Sequence, residues 1–191
     1  MKELEDRILK DGKVLPGDIL SVGNFLNQQI DTAFLMDIGD EIAKLFKDAG
    51  VTKVITLESS GIAIAFATAY KLSVPMVFAK KRQSLNLSQD VYKANVFSYT
   101  NKAMYQILVG REYISKDDKV LIVDDFLAKG NSARGLIDIV EMAGAEVAGV
   151  SCMVEKRFQE GGDQIRNSGI RVESLAIIES MQDGKIVFAK Q

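Results

Sequence analysis

An α/β domain built on a parallel sheet is the fold class this sequence predicts, on three observations. Short apolar runs at Lys53–Leu57, Val74–Ala79, Lys119–Asp124 and Val147–Val154 alternate with segments of helical period. The first two runs are joined by one such segment and so are the last two, which is the pattern of two βαβ units. Within a run the apolar residues are consecutive, as in strands covered on both faces. At 191 residues the chain fits one domain, 1–191.

The elements follow in order. Residues 2 to 11 read as a helix stopped by Gly12. Asp31 is placed to cap a longer helix whose Phe34, Leu35, Ile38, Ile42, Leu45 and Phe46 share one face before Gly50. Lys53–Leu57, the turn Glu58-Ser59-Ser60-Gly61, a helix from Ile62 to Lys71 and Val74–Ala79 form the first βαβ unit. Lys119–Asp124, a polar loop, a helix from about Ser132 to Ala143 and Val147–Val154 form the second. Between them, Ala94–Tyr99 and Ala103–Val109 flank Thr100-Asn101-Lys102 and read as a mobile hairpin arm. A short helix to Asn167 and strands near Val172–Ile178 and Lys185–Phe188 complete the chain.

Composition narrows the chemistry. There is no His, which removes Ser-His-Asp and Cys-His catalysis, most zinc sites and the usual base near neutral pH. The single Cys152 lies within an apolar run and reads as a buried strand residue. A net charge of −2 with both signs interspersed gives no basic footprint for nucleic acid. The first ten residues carry six charged side chains, no signal-peptide core is evident, and no segment is apolar enough to span a bilayer, so a cytoplasmic protein without membrane contact is expected. Neither GxxxxGK[ST] nor GxGxxG occurs.

One stretch carries more information than the rest: Val120-Leu121-Ile122-Val123-Asp124-Asp125-Phe126-Leu127-Ala128-Lys129-Gly130-Asn131-Ser132. A buried strand ends in two carboxylates, and Asn131 or Ser132 is placed to cap the following helix. The loop therefore lies at a helix N-terminus, where unpaired N–H groups and the helix dipole hold a phosphate. Asp124 and Asp125 would repel that phosphate unless they face sugar hydroxyls, a developing positive sugar or a hydrated Mg2+. A pentose phosphate offers all three.

The arrangement of four apolar residues, an acidic pair, two apolar residues and a small polar loop with Gly resembles the phosphoribosyl pyrophosphate (PRPP) signature of the type I phosphoribosyltransferases. Lys129 stands where that family usually has a small residue. The resemblance extends over essentially the whole chain, including Gly23 to Asp31, Glu58 to Ala63, Val123 to Ala128 and Val154 to Gln159. It implies a type I phosphoribosyltransferase fold: a parallel-sheet core (31–155) flanked by helices, a small hood (1–30 and 156–191) and the hairpin arm.

It also implies transfer of a 5-phosphoribosyl group from PRPP to a purine in salvage, with xanthine the expected acceptor, and a homodimer. Mg2+ would be carried by the PRPP diphosphate, with no metal site of the protein's own. By the resemblance, Asp124 and Asp125 are catalytic, and Ala128, Lys129, Gly130, Asn131 and Ser132 hold the 5-phosphate. Ser59, Ser60 and Gly61 form the pyrophosphate loop, which lacks the Arg that adenine-specific relatives often carry at Ser60. Lys80 and Lys81 reach the diphosphate, in many relatives from a neighbouring subunit, although with Arg82 they equally read as a solvated charge run. Ser98-Tyr99 resembles the closing loop of the family, and otherwise reads as a hairpin Tyr packed on the sheet.

Leu20, Asn27 and Lys156 are carried over as purine contacts. Lys156 has three donors and no acceptor, so it suits a 6-oxo group and leaves the 6-amino of adenine unmatched, a difference of about 1 to 3 kcal/mol. Asn27 can serve a 2-oxo or a 2-amino group and does not separate xanthine from guanine. Phe126 reads as a base-stacking ring or as a core residue. Without the resemblance, Lys156 beside Glu155 reads as a surface ion pair. The alternatives are a guanine or hypoxanthine phosphoribosyltransferase, a purine-responsive regulator that binds PRPP, or a silent PRPP-binding subunit; about 30 residues before the core leave little room for a DNA-binding domain.

Overall fold

The computed structural model describes residues 1–81, 90–98 and 103–190. Helix α1 (Lys2–Asp11) buries Leu4 and Ile8 and ends at Gly12. A hairpin that local pattern did not predict follows, β1 (Lys13–Leu15) paired antiparallel with β2 (Ile19–Ser21). Its turn places Gly17 and Asp18 in the left-handed region at φ 82 and 59, a conformation Gly adopts freely and Asp tolerates better than most residues. One turn of π-helix (Gly23–Asn27) leads into α2 (Thr32–Phe46), where the Asp31 side chain accepts the Phe34 N–H at 3.3 Å as the expected N-cap.

On α2, Leu35, Ile38, Ile42 and Phe46 are buried, each worth about 1.5 to 3 kcal/mol relative to exposure. Leu45, expected on that stripe, is instead 38% exposed: it lies one position from Phe46, about 100° around the helix, and so beyond the edge of the buried face. The first βαβ unit is β3 (Lys53–Leu57), α3 (Gly61–Leu72) and β4 (Met76–Ala79). Helices α2 and α3 approach closely at Gly39, where a Cβ would lie 2.6 Å from Ala67.

The arm is a hairpin of β5 (Val91–Ser98) and β6 (Ala103–Gly110). It is packed rather than free-standing, since Ala94, Val96, Ile107 and Val109 enter the core and Lys80 and Leu108 exchange backbone hydrogen bonds at 2.9 Å. The second unit is β7 (Lys119–Leu127), α4 (Asn131–Met142) and β8 (Glu146–Lys156), then α5 (Gly161–Asn167), β9 (Val172–Ser180) and β10 (Val187–Phe188). Strand β7 runs three residues past the expected end at Asp124, and β8 two past Val154.

The six-stranded sheet has the order β10-β9-β8-β7-β3-β4, parallel from β9 to β4 with β10 antiparallel at the far edge. Strand β9 extends this sheet, so residues after Lys156 contribute core as well as cover. Alternation along β7 divides the core: Leu121 and Val123 pack with α1, α2 and α3, whereas Val120 and Ile122 pack with α4 and the β5–β6 hairpin. Among the described residues no helix is long and apolar enough to cross a membrane.

Candidate active site

The carboxyl ends of the parallel strands meet a cleft of about 520 Å³, where ligands gather in open α/β sheets. The loop Ala128–Ser132 lines one part of it, Asp124 and Phe126 come from β7, and Lys156 and Gln159 from the end of β8 and beyond. Gly17 and Ile19 arrive from the first hairpin and Phe97 and Tyr105 from the second. The expected phosphate loop, one of the two carboxylates and the expected purine contact Lys156 therefore share one cavity.

The loop turns at Gly130, whose φ of 77 is a left-handed value, and Gly130 occupies the N-cap position of α4. Neither Asn131 nor Ser132 caps the helix, contrary to the sequence expectation. The Gly turn makes the cap with backbone alone, and the Asn131 amide instead donates to the Phe97 carbonyl at 2.9 Å, fastening the hairpin to the loop. The Tyr105 hydroxyl is hydrogen-bonded to Ser132; burial nevertheless holds its pKa above the ordinary value.

Asp124 and Asp125 are differently placed. The carboxylate of Asp124 accepts the Asp125 N–H at 2.9 Å and lines the cleft. Burial first, then the neighbouring Asp125 charge, push its pKa well above the ordinary carboxylate value, against the pull of the Asp125 N–H and the Lys81 charge. Asp125 is buried at 8% exposure, and its carboxylate accepts the Phe126 N–H at 3.0 Å. A low-dielectric pair of this kind favours positive charge in its neighbourhood.

The turn 58–61 is adjacent, as expected. A Cβ on Gly61 would collide with the Thr56 hydroxyl and lie 3.1 Å from Asp124 Oδ1; Ser59 and Ser60 are exposed, and the Glu58–Ser59 peptide is cis. Lys81 donates its N–H to Glu58 at 2.6 Å and places its ammonium 5.9 Å from the Tyr105 ring, so it bears on Asp124 from within the same chain. Lys80, the residue after β4, lines a separate depression with Phe78 and Tyr113.

Lys156 is 9% exposed and makes no pair with Glu155. Its ammonium donates to the Asp18 carbonyl at 2.7 Å and stands 5.4 Å from the centre of the Phe126 ring. Burial lowers its pKa, partly offset by the charges of Asp18 and Asp125. Leu20, expected among the purine contacts, turns its side chain into the core at 5% exposure, because neighbours on a strand point to opposite sides and it is Ile19 that lines the cleft. The side chains of Asn27 and Ser98, together with Tyr99 and Arg82, lie outside the described residues.

Residues 27–181 match the phosphoribosyl transferase domain. The chain belongs to the phosphoribosyltransferase family. Curated relatives called xanthine phosphoribosyltransferase, from Bacillus cereus and Bacillus cytotoxicus, are each 49% identical to this phosphoribosyltransferase over 100% of its length and 97% and 96% of their own. Solved adenine phosphoribosyltransferases share the fold. That of Rhodothermus marinus superposes with a TM-score of 0.76 at 20% identity, over 93% of this chain and 100% of its own. That of Giardia lamblia, complexed with 9-deazaadenine, gives 0.76 at 24%, over 93% and 98%.

Tyr105, Phe97, Gln159 and the Gly17–Ile19 segment line the phosphoribosyltransferase cleft without having been singled out in the sequence. Only the Pro16-Gly17-Asp18 turn carried a local signal; the others are brought in by tertiary packing.

Proposed function

We propose that this phosphoribosyltransferase transfers the 5-phosphoribosyl group of PRPP to xanthine, giving xanthosine 5'-monophosphate and pyrophosphate. The observation that carries the reading is the joint presence, in one cleft, of the phosphate loop 128–132, the Asp124 carboxylate and the Lys156 ammonium. The relatives at 49% identity support xanthine in particular.

The roles follow from chemistry. The N–H groups at the start of α4, aligned with its dipole at about 0.3 to 1 kcal/mol each, receive the 5-phosphate. The diphosphate arrives with its Mg2+ as part of the substrate, at the turn 58–61 and Lys81, with Lys80 read as reaching it from a second copy. As the bond from the anomeric carbon to the diphosphate oxygen lengthens, the sugar gains positive charge, and Asp124 with the buried Asp125 behind it favours that charge. Lys156 donates to the 6-oxo group, and the Phe126 ring is placed to stack on the base. Asn27 is read as serving the 2-position.

We read 1–191 as one domain in which 1–30 and the residues from Lys156 onward cover the cleft. A second copy of the chain is the proposed partner. The exposed Phe66–Tyr70 stack on α3, ring centroids 6.4 Å apart, and Phe78 on the edge strand β4 support self-association. Light scattering checks it, with Phe66→Asp/Tyr70→Asp expected to shift the mass from dimer to monomer.

The deciding assay is pyrophosphate release with PRPP, Mg2+ and xanthine, guanine, hypoxanthine or adenine in turn. Xanthine is expected to give the largest kcat/KM; adenine as the best acceptor would overturn the role given to Lys156.

A further inference from the structure

Behind the phosphate loop lies the start of α5, to which the proposed chemistry assigns no role. The Gly161 N–H donates to the Ala128 carbonyl at 3.0 Å, and a Cβ on Gly161 would collide with that carbonyl and with the Gly130 nitrogen. Gly162 is as closely placed against another group. A Cβ there would collide with the Glu155 carboxylate and lie 2.9 Å from Arg166 Nη1.

Glu155 has 0% exposure. Arg166 grips both of its oxygens, Nη1 at 2.8 Å and Nη2 at 2.6 Å, and the Ser174 hydroxyl donates to the second. The next residue in β8 is Lys156, in the cleft. Arg134 closes the assembly from α4, its Nη2 donating to the Lys129 carbonyl at 2.5 Å and its Nη1 to Gln164 of α5 at 2.9 Å.

We propose that the Gly161–Gly162 step and Arg134, anchored on the Glu155–Arg166 pair, position the phosphate loop and tie it to the strand end that carries Lys156. The loop itself is a Gly turn whose Lys129 carbonyl accepts from Arg134 and whose backbone lies against Gly161, so its aim is set by what it rests on. Glycine at 161 lets loop backbone lie directly on helix backbone, and glycine at 162 lets the same helix lie on a buried ion pair. Donors aimed at a ligand lose effect steeply when displaced by a fraction of an ångström to an ångström. These are positioning residues, and their effect is expected on PRPP rather than on the purine.

The proposal rests on the reading of 128–132 as the phosphate site, and the test separates the two. Gly161→Ala is expected to raise KM for PRPP about tenfold or more with KM for xanthine within about twofold of wild type. Arg134→Gln, which removes the clamp without a clash, is expected to raise it about threefold or more and decides the matter if Gly161→Ala does not fold. Gly169→Ala, at the far end of α5 with φ 90 and open space around it, is expected to lower the melting temperature without moving KM for PRPP. Unchanged KM for PRPP in Arg134→Gln and in folded Gly161→Ala, or KM values for both substrates rising in step, overturns the brace. A wild-type melting temperature raised by neither ribose 5-phosphate nor PRPP overturns the phosphate-site reading instead.

Discussion

The Lys156 ammonium donates to the Asp18 carbonyl at 2.7 Å across 138 residues of chain. Asp18 occupies its left-handed turn position at φ 59, so the β1–β2 turn aims one carbonyl at one ammonium. With one donor engaged by Asp18, two more remain for a base.

Replacement by methionine, Lys156→Met, keeps an unbranched side chain only one atom shorter and removes all three donors. KM for xanthine is expected to rise about five- to 150-fold, the cost of leaving a 6-oxo group unmatched in a buried site, while KM for PRPP stays near wild type. Steady-state titration of each substrate checks this, and an unchanged KM for xanthine would contradict the assignment.

Asp124 supplies a prediction of opposite signs for activity and stability. Its pKa is raised, by burial first and Asp125 second, so the folded state binds its proton more tightly than the unfolded chain does. Stability from this group is then fully present below the unfolded value of 3.8 and is lost as pH rises through the folded pKa. Asp124→Asn removes that loss. The variant is expected to melt higher than wild type at pH 8 by more than at pH 5, while its kcat falls about 10²-fold or more through loss of transition-state charge stabilisation. Melts at the two pH values read the first effect and single-turnover rates the second; a melting gap that narrows with rising pH is the contrary result.

What was legible in the sequence was periodic or local. The stripe on α2, the consecutive apolar residues of β7 and β8 and the acidic pair before a Gly loop each announce themselves within about ten residues. The cleft is different. Tyr105, Phe97, Gln159 and Ile19 reach it from four separate segments, and no window on the chain contains them together. Glu155-Lys156 shows the limit most sharply. As neighbours in sequence they suggest a pair, but neighbours on a strand point to opposite sides, so Glu155 turns to Arg166 and Ser174 and Lys156 to the cleft. The cap of α4 failed for a related reason, because a left-handed Gly130 satisfied the turn and released Asn131 to bind the hairpin.

The Glu155–Arg166 pair predicts a pH-dependent stability. Burial pushes the Glu155 carboxyl up, but the Arg166 guanidinium and the Ser174 hydroxyl outweigh it and hold the pKa below its ordinary 4.5. Its contribution is present above the unfolded value and disappears as pH falls through the folded one. Arg166→Ala leaves a carboxylate buried without its partner, at a cost of about 3 to 5 kcal/mol, or a fall of roughly 6 to 20 °C in melting temperature. With Arg166 gone, burial is opposed by the Ser174 hydroxyl and the Arg157 charge without the guanidinium, and the carboxyl pKa moves up, so the deficit is expected to be larger at pH 7 than at pH 4. Calorimetry at both values tests this; a deficit independent of pH would show that packing, not charge, is what Arg166 supplies.

Thr56 is a site where a substitution is expected to stabilise the fold. It is fully buried at the carboxyl-terminal part of β3, and its hydroxyl has no hydrogen-bond partner among the described residues. The hydroxyl faces Gly61, whose lack of a Cβ is what makes room for it. A buried hydroxyl without a partner costs about 1 to 3 kcal/mol relative to one that is paired, and valine has nearly the same shape and a better strand propensity. Thr56→Val is therefore expected to stabilise the fold by about 1 kcal/mol, a rise of about 2 to 4 °C in melting temperature. A lower melting temperature would mean that the hydroxyl finds a partner in solution, and Asp124, beside the same glycine, is the group next to which that partner would sit.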